Sequence, residues 1–324
     1  MQTAIPEYFE SKFSGRKFSV RRLLARGAAD STGGSLIPDT VLFVVVLILV
    51  CFGLLMIYST TAVTSQARFD DAYLFVRRQG IAVAAGLLGM LLLSFAPMRW
   101  LKKYSAVFLG AAILLLISVY IPGLGRRAGG ALRWIYIAGV RFQPGELVKL
   151  CLVVWLAGYL ASSDTRLKEF VPGVVVPGGV LALITGLYLS QPDFGSAVII
   201  CAIALCMMFV AGLGLRCLGV VGLAAVGAAA LLVVAAPYRM KRLMAFVNPG
   251  DDVQGIGYQL LQSLIAVGSG ELFGVGLGGS AQKLFFLPAA HTDFIFAVVG
   301  EELGFVGCLF VLSLFLLFLW RGIA

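Results

Sequence analysis

Long stretches without charge constrain this chain more than any other feature. Residues 40–63 contain no Asp, Glu, Lys or Arg. A helix crossing a bilayer needs about 20 mostly apolar residues. Inside lipid only helices and closed barrels satisfy their own backbone hydrogen bonds. Barrel strands would be written as short alternating segments, and none are present. The expected fold is therefore all-α: a polytopic helical membrane protein. About eight candidate spans follow from the apolar runs, roughly residues 40–63, 80–97, 104–121, 147–162, 171–190, 196–215, 218–237 and 294–320. The fourth is short and holds Lys149, and the last holds Glu301 and Glu302.

Composition agrees with this reading. Charged residues make up 13% of the chain against 60% hydrophobic, where a soluble domain carries about 25% charge. The net charge is +9. Membrane topology and anionic lipid account for it, so nucleic acid is not an expected partner. The six cysteines show no metal or disulfide spacing and read as packing residues. No cleavable signal peptide is expected, because the first apolar run begins only after a polar stretch.

Two regions result: a basic tail, 1–37, and a transmembrane domain, 38–324. The tail carries Lys12, Arg16, Lys17, Arg21, Arg22 and Arg26. It is either a disordered topology signal or, over residues 9–24, a basic helix lying on the membrane. The positive-inside rule puts it in the cytoplasm, with Arg99, Lys102, Lys103, Arg166, Lys168, Arg216 and Arg321 in inner loops.

Two loops then break the rule on the outer side. One holds Arg126, Arg127, Arg133 and Arg141. The other is the large extracytoplasmic loop before the last helix, about 238–293, with Arg239, Lys241, Arg242 and Lys283. An anionic ligand outside the membrane is the simplest reason for such cations. Within this loop, residues 258–267 have apolar positions at helical spacing and predict an interfacial or re-entrant helix. Residues 268–279 predict a tight glycine-rich turn region. They are not a nucleotide loop, since no GxxxxGK[ST] is present.

Ionisable residues inside spans are candidates for function. Glu146 and Lys149 stand three apart and can pair. Glu301 and Glu302 suit packing and pairing, one of them with a cation from another helix. Asp193 suits an N-cap. Asp293 follows His291, the only histidine, where the polar loop meets the last span. It reads either as a helix cap or as a catalytic group.

Several segments together carry a resemblance. They are Gly53-Leu-Leu-Met-Ile-Tyr-Ser59, Arg133-Trp134-Ile135, Phe142-Gln-Pro-Gly-Glu-Leu-Val-Lys149 and Gln191-Pro-Asp-Phe-Gly195. With them go Gly257-Tyr-Gln-Leu-Leu-Gln-Ser263, Gln282-Lys283-Leu284, His291-Thr-Asp-Phe-Ile-Phe296 and Gly300-Glu-Glu-Leu-Gly304. In this order they resemble the SEDS family (shape, elongation, division and sporulation), and its division branch more than its elongation branch. The resemblance implies a peptidoglycan glycosyltransferase of the bacterial inner membrane, at the division septum. It would polymerise lipid II into glycan strands at the outer face. Its implied partners are a class B penicillin-binding protein and other division-complex membrane proteins. It implies Asp293 as the catalytic candidate and Trp134 as a functional position, and places Gln259 and Ser263 among the substrate contacts. Members usually have ten spans, so a truncation after the eighth is expected here. Ala289 stands where relatives commonly carry Glu.

The residues suit that chemistry. Asp293 would act as general base on the acceptor sugar 4-hydroxyl, with His291 orienting Asp293 or a sugar hydroxyl. Arg133, Arg239, Arg242 and Lys283 would hold diphosphate, and Trp134 would stack on sugar or lipid. No cofactor is required, although a divalent cation such as Mg is admissible. Two other readings remain. One is a lipid II flippase lined by Glu146, Lys149, Glu301 and Glu302. The other is a non-catalytic scaffold for the penicillin-binding protein.

Overall fold

The computed structural model describes residues 39–128, 131–137, 140–162, 171–248, 250, 255–283, 287 and 290–323. The basic tail, Arg166, Lys168 and Ala289 lie outside the described residues, so neither reading of segment 9–24 is addressed.

Every expected span forms a helix. These are α1 (Thr40–Phe69), α2 (Leu74–Ser94), α3 (Met98–Ser118), α4 (Pro144–Ser162), α5 (Val176–Ser190), α6 (Phe194–Val210) and α7 (Leu215–Val234). The short α8 (Pro237–Val247) and α9 (Ile256–Ser269) follow, and α10 (Ile295–Ile323) is last among the described residues. A π turn, Val171–Val175, leads into α5. Among the described residues, seven helices are long and apolar enough to cross a membrane. The eighth, α6, has 17 residues. At 1.5 Å per residue that is about 25 Å, short of a hydrocarbon core of about 30 Å.

Local chemistry sets the helix ends. Asp39 caps α1 by accepting from the Val41 and Leu42 amides, and Asp70 closes it in the left-handed conformation. Asp193 caps α6 through the Ser196 amide and hydroxyl. Pro144 and Pro237 open α4 and α8, where a missing N–H costs nothing.

Two elements depart from the expectation. Three strands, β1 (Gly125–Ala128), β2 (Ala131–Ile137) and β3 (Val140–Phe142), form an antiparallel sheet in that order. The segment after α7 is not loop but the amphipathic α8. Its apolar residues Met240, Leu243, Met244 and Val247 recur at helical spacing, with Arg239, Lys241 and Arg242 interleaved.

The chain divides into two compact units, one spanning Lys102–Val220 and the other combining Ile37–Leu101 with Val221–Ala324. In the first, Leu116 of α3, Val148 and Leu152 of α4, Ile184 and Tyr188 of α5 and Ile200 of α6 form one core. In the second, Met56 of α1 and Ala266 of α9 pack with Leu287, Ala290 and the start of α10. Helices in lipid associate through packing and hydrogen bonds, because lipid tails are as apolar as Leu.

Beyond the exposed Phe296, the first turns of α10 are enclosed. Residues 297–302 are all buried in succession. The helix then breaks at Gly304, whose φ is 66° and ψ −162°, a region essentially restricted to glycine. The segment 270–276 fills the break. Val275 N–H donates to Glu301 C=O and Gly276 N–H to Glu302 C=O, each at 3.0 Å. Phe305 and Val306 N–H donate back to Glu271 and Leu272 C=O. Backbone groups freed at membrane depth are thereby satisfied by protein, as lipid requires. A Cβ at Gly274 would lie 2.2 Å from Glu302 O, and one at Gly270 would lie 1.9 Å from Gly300 O. The glycine-rich turn is thus a plug for a broken helix.

Candidate functional site

In the second unit two buried carboxylates organise the approach to Asp293. Glu301 accepts from the Ser280 hydroxyl and, at 2.9 Å, from the Ala281 amide. Glu302 accepts from Ser59 of α1 at 2.7 Å and from Lys283 Nζ at 2.7 Å. Relative exposure of the Lys283 and Glu302 side chains is 5% and 0%. Ser280 joins the two sets by also accepting from the Lys283 amide. The segment carrying Asp293 is therefore fastened to α10 at 280–283, and it enters the same helix at Ile295.

Lys283 was expected among the cations for diphosphate, and in the structure its ammonium is buried against Glu302. Its charge is spent on Glu302, because a carboxylate buried this deeply needs a partner. The cation met by one of the glutamates comes from the loop and not from another helix. Ser59 and Ser280 were not singled out as site residues. Ser59 does stand in the 53–59 motif, but only the tertiary fold brings it to Glu302.

Asp293 is exposed. Helix α10 begins two residues later, and its first bonds run to Phe294 C=O. Among the described residues no side chain or amide bonds the Asp293 carboxylate. The cap reading is thereby removed, and the group is left available to a ligand. His291 is also exposed, with its ring centroid 5.4 Å from that of Phe75. It makes no hydrogen bond to Asp293, so the expected orienting contact is not formed here; a ring contact holds His291 instead.

The other expected residues of this unit lie on α8 and α9. Arg242 stacks over Tyr238, 4.6 Å from the ring centroid. Arg239 donates to Leu232 C=O at 2.9 Å, near the end of α7. Gln259 is half-buried, and Ser263, one turn on, is buried with its hydroxyl on Leu260 C=O.

In the first unit Arg133 and Trp134 separate. The strand pleat sends neighbours to opposite faces. Arg133 shares its face with the buried Ala131 and Ile135, and its Nη1 stands 3.6 Å from Asp193 Oδ1. Its Nε is buried without a hydrogen bond among the described residues. Trp134 belongs to the other face. Lys149 Nζ lies 2.7 Å from Glu146. Tyr188 donates to Gly145 C=O at 2.6 Å, and Gln191 to Leu116 C=O at 3.1 Å. The end of α5 is thereby tied to the start of α4, and Gln191 to the end of α3.

Among the described residues no three His, Cys, Asp or Glu side chains converge as a metal site. A divalent cation at the loop would be held by Asp293 and by substrate oxygens, a mode magnesium commonly uses.

Comparison with known proteins adds three findings. Residues 39–324 match the FtsW/RodA/SpoVE family of cell cycle proteins. Among curated relatives, a probable peptidoglycan glycosyltransferase FtsW of Saccharophagus degradans is 44% identical over 283 residues, 87% of this chain and 73% of that one. Stage V sporulation protein E of Bacillus subtilis is 37% identical over 286 residues, 88% of this chain and 78% of its own length. Among solved structures, a chain of a peptidoglycan synthase complex that coordinates polymerization and crosslinking superposes with a TM-score of 0.68 and 31% identity, covering 87% of this chain and 76% of that chain. The rod shape determining protein RodA of Thermus thermophilus gives 0.61 and 30%, covering 87% and 73%.

Proposed function

This chain belongs to the FtsW/RodA/SpoVE family of cell cycle proteins, and from that premise we propose that it is a peptidoglycan glycosyltransferase that polymerises lipid II during septal wall synthesis. The observation that carries the mechanism is the exposed carboxylate of Asp293, unpartnered among the described residues and held on a loop fastened to α10 through Lys283 and Glu302. The positive-inside rule supports a cytoplasmic basic tail and, with it, an outer position for this loop, where the polymer would be made.

Asp293 takes the proton from the acceptor sugar 4-hydroxyl. That oxygen attacks the anomeric carbon of the donor, and the bond from that carbon to the diphosphate oxygen breaks. Polyprenyl diphosphate leaves with the electron pair. It is a stable anion, so this step needs no general acid of the kind glycoside hydrolysis employs. Arg239 and Arg242 of α8 are the proposed diphosphate contacts, since guanidinium forks suit phosphate. Gln259 and Ser263 are proposed as further substrate contacts. In the first unit, Arg133 and Trp134 are proposed lipid II contacts. A class B penicillin-binding protein is the proposed partner that cross-links the product.

The break in α10 is the one observation favouring a flippase, since transporters use discontinuous helices. Backbone groups freed at the break and both carboxylates are, however, already bonded within the protein among the described residues. Labelled lipid II in proteoliposomes separates the readings. Polymer without translocation supports the enzyme, with and without the class B partner supplied. Translocation without polymer overturns it, and partner binding with no turnover in any condition favours the scaffold.

A further inference from the structure

Helix α8 has one side packed and the opposite side bare. It follows α7 after two residues, and Arg239 Nη1 donates back to Leu232 C=O at 2.9 Å. It therefore starts where a helix of bilayer length stops. Its 11 residues extend about 16 Å, too short to cross a hydrocarbon core. Ala245 is buried and marks the packed side. Successive residues turn by about 100°. Met240, Leu243 and Val247 thus project from the side opposite Ala245, and Met244 lies beside them. Leu243, Met244 and Val247 are exposed, and Met240 is half-buried. Arg239 and Lys241 stand on the two edges of this apolar stripe, and the helix holds no acidic residue. Lys241 is exposed and pairs with no carboxylate of the described residues, whereas Arg242 stacks on Tyr238.

We propose that α8 lies along the outer leaflet of the bilayer, with its apolar stripe among the acyl chains and Lys241 on the phosphate of an anionic phospholipid. The outer position and the effect on turnover rest on the polymerase reading above. An apolar stripe edged by cations is the form in which a helix seats at the headgroup boundary. Three cations without an acid select an anionic surface. An apolar groove on a partner protein is the competing occupant. The bilayer is favoured over it by continuity: the bond from Arg239 to the end of α7 keeps the stripe at the membrane surface, where acyl chains reach it first. In this seat Arg239 and Arg242, the proposed diphosphate contacts, come to the depth of lipid-borne phosphate. The stripe thereby fixes the depth at which the loop meets lipid II.

The test places benzoylphenylalanine at position 243, 247 or 238 of the complete chain, in vesicles of phosphatidylcholine and phosphatidylglycerol. Light-induced adducts are then identified by mass. Phospholipid adducts are expected at 243 and 247, about fivefold or more above those at 238, which lies on the opposite side of the helix. Phosphatidylglycerol is expected among them at about fivefold its share of the vesicle, and near its share when Lys241→Gln is added. Equal yields at the three positions overturn the proposal, as do adducts to protein in place of lipid. Adducts that follow vesicle composition in the chain with Lys241 intact overturn the role given to that residue. A second readout is lipid II turnover. Leu243→Asn with Val247→Asn is expected to raise KM about tenfold with kcat kept, a loss of uniform binding. Leu243→Ile with Val247→Ile is expected to keep both. An unchanged KM in the Asn variant overturns the depth-setting role. Absence of any polymer from the unmodified protein counts against the polymerase reading alone, since the adducts form without turnover.

Discussion

Lys283 Nζ lies 2.7 Å from a carboxylate oxygen of Glu302, and both side chains are withdrawn almost completely from solvent. Removing one member of such a pair strands the other as a buried charge, at a cost of about 3–5 kcal/mol. Lys283→Met and Glu302→Leu should each lower the thermal midpoint in detergent sharply. The double variant should be less damaged than either, because it buries no charge. Additive losses in the double variant would rule out the pairing.

The break in α10 yields a ranking of glycine substitutions. Gly304 has a glycine-only conformation, and a Cβ there would lie 2.4 Å from Gly274 N. Gly276 also has positive φ, at 93°, but a Cβ there meets nothing within 4 Å. Gly276→Ala should cost about 1 kcal/mol from backbone strain, and Gly304→Ala about 3 kcal/mol or more because a clash is added. Equal midpoints for the two variants would mean that segment 270–276 does not occupy the break.

Asp193 is both the cap of α6 and the charge facing Arg133. Asn caps a helix as well as Asp does. Asp193→Asn should therefore hold its thermal midpoint close to that of the unmodified protein, while Asp193→Ala loses about 1 kcal/mol. If the two fall equally, the cap is not what the residue contributes.

The pair of Asp39 and Arg321, 2.7 Å apart, joins the start of α1 to the end of α10. The Leu42 amide bonded to the Asp39 carboxyl, assisted by Arg321, holds its pKa below the usual carboxylate value. A depressed folded-state pKa contributes stability above the unfolded value, near 3.9, and loses it as pH falls through the lower folded value. The gap in midpoint between the unmodified protein and Asp39→Ala should be constant from pH 7 to about pH 5 and narrow below about pH 4. A gap that widens on acidification contradicts this.

The spans were legible because a charge-free run of bilayer length has few other uses, and α9 because its apolar spacing survives inside the loop. The sheet was not read. Leu132, Trp134 and Tyr136 are as apolar as Ala131 and Ile135 on the opposite face, so the alternation is hidden. In α8 the spacing of Met240, Leu243, Met244 and Val247 was present, but the surrounding Arg and Lys made the segment read as loop. Asp293 was legible as a candidate through its neighbours in sequence, yet its freedom from capping was not. That depends on α10 starting at Ile295. The assignment of Lys283 to Glu302 and the plugging of the helix at Gly304 join segments distant in sequence, and no local pattern encodes them.

The account rests most heavily on the exposed carboxylate of Asp293. The direct measurement is glycan polymerisation from purified lipid II by Asp293→Asn, with its class B partner present and its thermal midpoint matched to the unmodified protein. Loss of a general base is worth about 10²–10⁴ in rate. The account predicts a fall of that size in turnover with lipid II binding retained. Polymer made by this variant at the unmodified rate would contradict it.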